Sequence, residues 1–73
     1  MEYLSLKEKE LVAIGAALAS NCIPCIEYHI PTAIKAGLND NQIKEAIEIA
    51  NKVRNVPSAK VLELALSLIS PKE

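Results

Sequence analysis

The strongest constraint on the fold is an uninterrupted apolar stretch in the first third of the chain. Every residue from Leu11 to Ala19 lacks a polar side chain. The stretch has no strand-like alternation, so it predicts a helix that is apolar all round and therefore buried on more than one side. It is much shorter than the ~20 residues that a bilayer-spanning helix needs. We therefore expect a packed helix of a soluble protein and no membrane association.

The composition around this stretch favours an all-α fold. Hydrophobic residues make up 51% of the 73 residues, yet Phe and Trp are absent and Gly occurs only twice. The apolar content is mostly Ala, Ile, Leu and Val, which suits the packing of helices. A chain of this length buries only about 60% of its unfolded surface, so its own core is small. We expect residues 1–73 to form a single helical domain that oligomerises to cover the excess apolar surface.

The charge distribution argues against a nucleic-acid-binding role. The formal net charge is −1, and the basic residues are scattered from Lys7 to Lys72 without forming a run. The first residues contain no basic segment of the kind that opens a signal peptide. The sequence thus predicts a cytoplasmic protein, with no bound cofactor expected. In the cytoplasm a cysteine pair is more often catalytic, redox-active or metal-binding than a structural crosslink.

Local signals predict the first two of about four helices. Ser5 and Glu8 have the spacing of a capping box, so helix one should begin at Ser5 and run to about Ser20. Asn21 is a preferred N-cap residue and is expected to begin helix two. Gly37 is expected to end helix two in the left-handed conformation.

The second half of the chain predicts two further helices. Asn39 and Gln42 repeat the capping spacing and should begin helix three. The segment Arg54-Asn55-Val56-Pro57 is expected to break it, since proline lacks a backbone N–H and clashes with the preceding turn. Ser58 would then cap a fourth helix that ends at Pro71. This last helix is also apolar over more than one stripe.

The reactive side chains are concentrated at the beginning of helix two. Cys22, Cys25 and His29 contain both thiols and the only imidazole of the chain. At positions i, i+3 and i+7 of a helix they fall within an arc of about 60°. Glu10 borders the apolar stretch on helix one and shares a face with Ile14. Periodicity alone leaves open whether its carboxylate points inward or into solvent.

Three interpretations of the cysteine–histidine stripe remain open at this point. In a redox site, the helix N-terminus stabilises a thiolate, and the second thiol condenses with a sulfenic acid to form a disulfide. In a zinc-binding module, Cys22, Cys25 and His29 would be three ligands, and Glu10 or another subunit would supply the fourth. In the third interpretation, the cysteines are buried and inert.

The spacing Glu10-x11-Cys22-x2-Cys25-x3-His29 resembles the signature of a known family. It is similar to the alkylhydroperoxidase AhpD-like branch of the carboxymuconolactone decarboxylase family, and the similarity runs from about Leu4 to Ala50. The decarboxylase branch generally lacks the cysteine pair, so the thiols favour the redox branch. A decarboxylase-like enzyme and a non-catalytic oligomeric domain are the remaining alternatives within the resemblance.

The resemblance implies an all-helical fold, assembly into trimers or hexamers, and a thiol-dependent peroxidase activity. By position, Cys25 would be the peroxidatic nucleophile. Cys22 would donate a proton and close the disulfide, and Glu10 and His29 would form a proton relay. The implied partners are a hydroperoxide substrate and an electron donor, either a thiol or a lipoyl-bearing protein.

Overall fold

The part of the chain that the structure describes is a bundle of three α-helices. The computed structural model describes residues 2–69 and contains, in that range, α1 (Leu6–Ala19), α2 (Ile23–Lys35) and α3 (Asp40–Ile69), with no β-strand. The all-α prediction is confirmed. The prediction of four helices is wrong, because the described part of the chain folds the expected third and fourth helices as one.

α1 begins at the predicted capping box. The Ser5 hydroxyl accepts a hydrogen bond from the Glu8 backbone N–H at 3.1 Å, and the Glu8 carboxylate accepts one from the Ser5 N–H at 2.8 Å. These two bonds satisfy amides that would otherwise lack a partner at the helix end. The orientation of the chain entering α1 is therefore fixed by residues three positions apart.

The connection between α1 and α2 differs from the prediction at one residue. Asn21 is not the N-cap of α2; it has φ 57° and is the left-handed residue that ends α1. The Cys22 N–H donates to the Ala17 carbonyl at 3.0 Å and the Asn21 N–H to the Leu18 carbonyl at 3.1 Å, which together form a Schellman motif. Asparagine tolerates this conformation better than most residues. Cys22 therefore becomes the N-cap of α2.

The connection between α2 and α3 follows the prediction. Gly37 has φ 105°, and the Leu38 N–H donates to the Ala33 carbonyl at 3.1 Å, so α2 also ends in a Schellman motif. Asn39 and Gln42 then exchange two side chain–backbone hydrogen bonds, each of 2.9 Å, at the beginning of α3. The end of α2 and the beginning of α3 are thus both capped by short-range hydrogen bonds at the residues that the sequence indicates.

α3 continues through the predicted break. Arg54 to Pro57 are helical, and Ser58 lies in the helix interior rather than at an N-cap. Pro57 removes one backbone hydrogen bond, but the residues that follow it are mostly good helix formers. The side chain of Arg54 is also bound to Asn51 on the same helix and to the end of α1. Pro71, the predicted terminator, lies outside the described residues.

The hydrophobic core lies where α1, α2 and the first half of α3 meet. Its buried residues are Ile14, Ala33, Leu38 and Ile43, and Ile14 is completely inaccessible to solvent. Partly buried side chains pack around them from all three helices: Leu11, Ile30, Ala46 and Ile47. This core fixes α1 against α2, and the side chains of the candidate site lie between these two helices.

The last half of α3 extends away from the core. Every residue from 55 to 69, here called the distal segment, is exposed. The radius of gyration is 16.7 Å, compared with about 11 Å for a compact domain of this length. Across residues 2–69, no helix has the combination of length and apolar character that crossing a bilayer requires.

Candidate active site

Glu10 and His29 form the polar contact between α1 and α2. The Glu10 Oε1 atom lies 2.9 Å from the His29 Nδ1 atom, and the two side chains are 16% and 28% exposed. The Glu10 carboxylate therefore points towards α2 and not into solvent. The hydrogen bond fixes the orientation of the imidazole and leaves the Nε2 atom as its second proton-exchanging position.

Cys22 and Cys25 are joined by a disulfide within the first turn of α2. Their Cα atoms are 5.2 Å apart, and both residues are partly buried. The Cys22 Sγ atom accepts a hydrogen bond from the Cys25 backbone N–H at 3.3 Å, in the manner of an N-cap side chain. The same amide and the helix N-terminus stabilise a negative charge on this sulfur once the disulfide is reduced.

The disulfide and the Glu10–His29 pair lie along one face of α2. Cys25 is four residues before His29, so their side chains are neighbours one turn apart on the helix surface. The next residue along this face, Ala33, is fully buried, which places the face against the rest of the protein. The Tyr28 ring meets the His29 ring edge-on, with centroids 4.9 Å apart. All four residues singled out from the sequence are thus arranged along the α1–α2 interface.

Arg54 is a further residue of the site that sequence reasoning missed. Its Nη1 atom lies 3.2 Å from the Leu18 carbonyl oxygen and 2.9 Å from the Asn21 Oδ1 atom, and its Nε atom lies 2.8 Å from the Asn51 Oδ1 atom. It therefore ties α3 to the turn that presents Cys22. Arg54 lies eleven residues after Ile43 and four after Ala50, so helix periodicity places it on the face of α3 that packs against the core. This spacing could have identified Arg54 from the sequence.

The donor atoms do not converge into a metal site. Within residues 2–69 there is no group of three or more His, Cys, Asp or Glu side chains placed to hold a metal ion. Both sulfurs are bonded to each other, and a disulfide lacks the thiolate charge that zinc requires of cysteine ligands. The chemistry that these residues carry in this arrangement is that of a dithiol–disulfide couple beside an acid–base pair.

This combination defines a class: small helical proteins with a Cys-x2-Cys pair at a helix N-terminus, backed by a glutamate and a histidine. The sequence profile of the carboxymuconolactone decarboxylase family matches residues 2–67, almost the whole chain. The chain belongs to this family, and the AhpD-like resemblance of the motif is confirmed at that level.

One curated relative is a protein of Paracoccus denitrificans called "Uncharacterized protein 4 in cox locus". It is 37% identical over 51 residues, which are 70% of this chain and 46% of the relative. The chain therefore spans about half the length of this relative. No solved structure matches the chain with significant similarity.

Proposed function

We propose that the protein is a thiol-dependent hydroperoxide reductase. The observation that carries the proposal is a Cys22–Cys25 disulfide one helical turn from His29. The Nδ1 atom of this histidine is hydrogen-bonded to the Glu10 carboxylate. A peroxidase of this kind needs a thiol that forms a thiolate, a second thiol within bonding distance, and a group that moves protons between them. These residues supply all three along one helix face.

The proposed reaction oxidises two thiols and reduces one peroxide. His29 accepts the Cys25 proton, and the thiolate attacks the terminal oxygen of the hydroperoxide. The O–O bond breaks, Cys25 becomes a sulfenic acid, and the departing alkoxide takes the Cys22 proton to leave as an alcohol. The Cys22 thiolate then attacks the Cys25 sulfur, and hydroxide leaves with the His29 proton as water. The products are a disulfide, an alcohol and water.

The N-cap position supports the role of Cys22 as the resolving thiol in this scheme. Once Cys22 has given up its proton, its charge is placed on the sulfur that already accepts the Cys25 amide. Hydrogen bonding to a charged acceptor is stronger than to a neutral one. The Cys22 thiolate is thus stabilised next to the Cys25 sulfenic acid, where its S–S bond forms as the S–O bond breaks.

The same proposal includes assembly into a homo-oligomer, with a trimer or a hexamer expected from the family resemblance. The accessible surface of one chain is 5843 Å2, whereas a compact monomer of this mass exposes about 4,400 Å2. The difference exceeds the ~800 Å2 that each partner contributes to a standard interface. Large apolar side chains on the distal segment, among them Leu62, Leu64, Leu66 and Leu68, are each more than half exposed.

Turnover requires an electron donor that reduces the disulfide after each cycle. We propose a thiol compound or a lipoyl-bearing protein, in the cytoplasm, where such donors keep cysteines reduced. A screen of thioredoxin, glutathione and a lipoyl protein against the oxidised chain would identify the class of donor.

The test of the proposed activity is peroxide consumption by the reduced protein and two cysteine variants. Hydrogen peroxide and tert-butyl hydroperoxide should convert the wild-type thiols to an intramolecular disulfide, with loss of two hydrogen atoms per chain by mass spectrometry. Cys25→Ser should abolish consumption. Cys22→Ser should leave a sulfenic acid at Cys25 that dimedone traps, because its resolving partner is missing.

The same experiment separates the alternatives. If both thiols stay free in excess peroxide while the protein is folded, the redox proposal is wrong. If the protein purified under reducing conditions holds stoichiometric zinc that protects both thiols from alkylation, the zinc-binding module takes its place. Glu48→Gln is a matched control with an exposed carboxylate on α3 and should consume peroxide like the wild type.

A further inference from the structure

The two sulfurs of the disulfide differ in their access to a pocket on the surface. A pocket of about 330 Å3 lies between the α1–α2 turn and α3, and its walls are largely apolar: Leu18, Ile23 and Ile26 contribute, with Glu27 and Arg54 as the charged residues. Cys22 lines this pocket and Cys25 does not. Cys25 instead neighbours His29 one helical turn further along α2. The disulfide thus meets this pocket through its Cys22 sulfur.

We infer that the thiol that reduces the disulfide enters this pocket and attacks Cys22. The inference rests on the proposed redox function and adds the direction of its reductive half. The incoming thiolate forms an S–S bond with the Cys22 sulfur, the Cys22–Cys25 bond breaks, and Cys25 leaves with the electron pair. A second thiol of the reductant then displaces Cys22 from the mixed disulfide. The reductant is oxidised to a disulfide, and both protein cysteines are reduced.

This direction releases the proposed peroxidatic sulfur in the first of the two exchange steps. The sulfur released first is Cys25, beside the His29 and Glu10 pair that exchanges its proton. Attack at Cys25 would instead leave the reductant bonded to the proposed peroxidatic sulfur, next to the Glu10–His29 pair. Cys25 would then stay blocked until the second exchange step. Access is one of the factors that decide which sulfur of a disulfide is attacked, and the pocket gives this access to Cys22.

Charge and size indicate the kind of reductant that fits. The attacking species is a thiolate, and the Arg54 guanidinium, which is always charged, lies in the wall of the same pocket. Its Nη1 and Nε atoms are engaged by Leu18, Asn21 and Asn51, which hold the charge in place. The volume admits a slender thiol on an apolar stem but not the folded surface of a protein. We therefore assign the pocket to a small thiol or a thiol on an extended arm.

The first experiment locates the mixed disulfide. The full chain, oxidised with diamide, is mixed with the monothiol 2-mercaptoethanol, quenched with acid, alkylated and mapped by tandem mass spectrometry. We expect the mercaptoethanol adduct on Cys22 and the alkyl group on Cys25. Adducts mainly on Cys25, or shared equally between the sulfurs, would overturn the inference. No peroxide is used, so failure of the peroxidase proposal and failure of this inference are distinguishable.

The second experiment tests the charge of the pocket with two monothiols of opposite charge. We compare the rates of disulfide reduction by 3-mercaptopropionate and by cysteamine in the wild type, Arg54→Gln and Glu27→Gln. Arg54→Gln should lower the ratio of the 3-mercaptopropionate rate to the cysteamine rate roughly threefold to tenfold, because it removes a positive charge from the pocket wall. Glu27→Gln should raise this ratio, because it removes a negative charge from the same wall.

A purely structural role for Arg54 predicts a different result. If Arg54 only supported the turn, Arg54→Gln would change both rates by the same factor and leave their ratio unchanged. An unchanged ratio would therefore overturn the assignment of the pocket to an approaching thiolate. Arg54→Lys keeps the charge and loses the forked hydrogen bonds, so it should retain most of the wild-type ratio. Circular dichroism of each variant verifies that the helices are intact.

Discussion

The two halves of α3 have similar lengths but different surroundings. In the first half, Ile43 and Ala50 are buried, and Arg54 is bonded to the end of α1. In the distal segment every residue is exposed, although large aliphatic side chains are frequent there. The first half helps to build the core and the candidate site, whereas the distal segment contacts neither within this chain. One continuous helix thus combines a folded part with an uncovered part.

The pattern of side chains explains this difference. Between residues 60 and 69 of the distal segment, the polar residues Lys60, Glu63 and Ser67 form one narrow stripe. The apolar residues from 61 to 69 cover an arc of roughly 200° at about 100° per residue. A helix that packs on a single surface needs an apolar stripe little wider than 100°. Hydrophobic periodicity therefore indicates how much of a helix will be covered, and it does not indicate which molecule covers it.

The largest effect that we predict is on assembly through the distal segment. Replacing Leu64 and Leu68 together by Asp should disperse the proposed oligomer, because each buried Leu contributes about 1.5–3 kcal/mol and each new carboxylate would be desolvated. We expect the association to weaken by at least about 3 kcal/mol per chain. Light scattering at micromolar concentration should then give a particle of 7.9 kDa, the mass of one chain.

A matched variant controls for charge in this experiment. Lys60→Gln with Ser67→Asp changes the net charge by the same amount on the polar stripe and should leave the mass of the assembly unchanged. Far-UV circular dichroism shows whether the dispersed Leu64→Asp, Leu68→Asp chain stays folded. Either a folded or an unfolded monomer agrees with the prediction. A wild-type particle with the mass of one chain would contradict it.

The second prediction concerns the candidate site, next to the first half of α3. Glu10→Gln keeps the size of the side chain and an oxygen that can accept the His29 N–H, but it removes the carboxylate of the proposed proton relay. We expect kcat/KM for the peroxide to fall roughly a hundredfold, the low end of the contribution of a positioned acid–base group. The mass of the assembly should not change. A rate equal to that of Glu48→Gln would exclude Glu10 from the proton relay.

The smallest effect distinguishes a true helix cap from an apparent one. Ser5→Ala removes the hydroxyl that accepts the Glu8 amide and should lower the free energy of unfolding by about 1 kcal/mol. Ser58→Ala should be neutral or slightly stabilising, since Ser58 lies inside α3 and alanine is the better helix former. Urea titrations of the two variants measure both values. A loss at Ser58 similar to that at Ser5 would show that a separate helix begins there.

The features that the sequence by itself determined are local ones. The Ser5 and Asn39 caps, the left-handed Gly37, and the single face shared by Cys22, Cys25 and His29 all depend on residues a few positions apart. Helix geometry and short-range hydrogen bonds fix such relations before any tertiary contact forms. The class of the fold and most of the candidate site follow from them.

The tertiary structure decided what depends on residues far apart in the chain. Asn21 resembled an N-cap, yet it ends α1 in the left-handed conformation and is held there by Arg54. Arg54 in turn stays helical in a segment that ends in Pro57, and its bond to the Leu18 carbonyl spans 36 residues. Glu10 meets His29 across 19 residues of sequence once α1 and α2 have packed. Local propensity cannot rank these alternatives, because their free energies differ through contacts that exist only once the helices have packed.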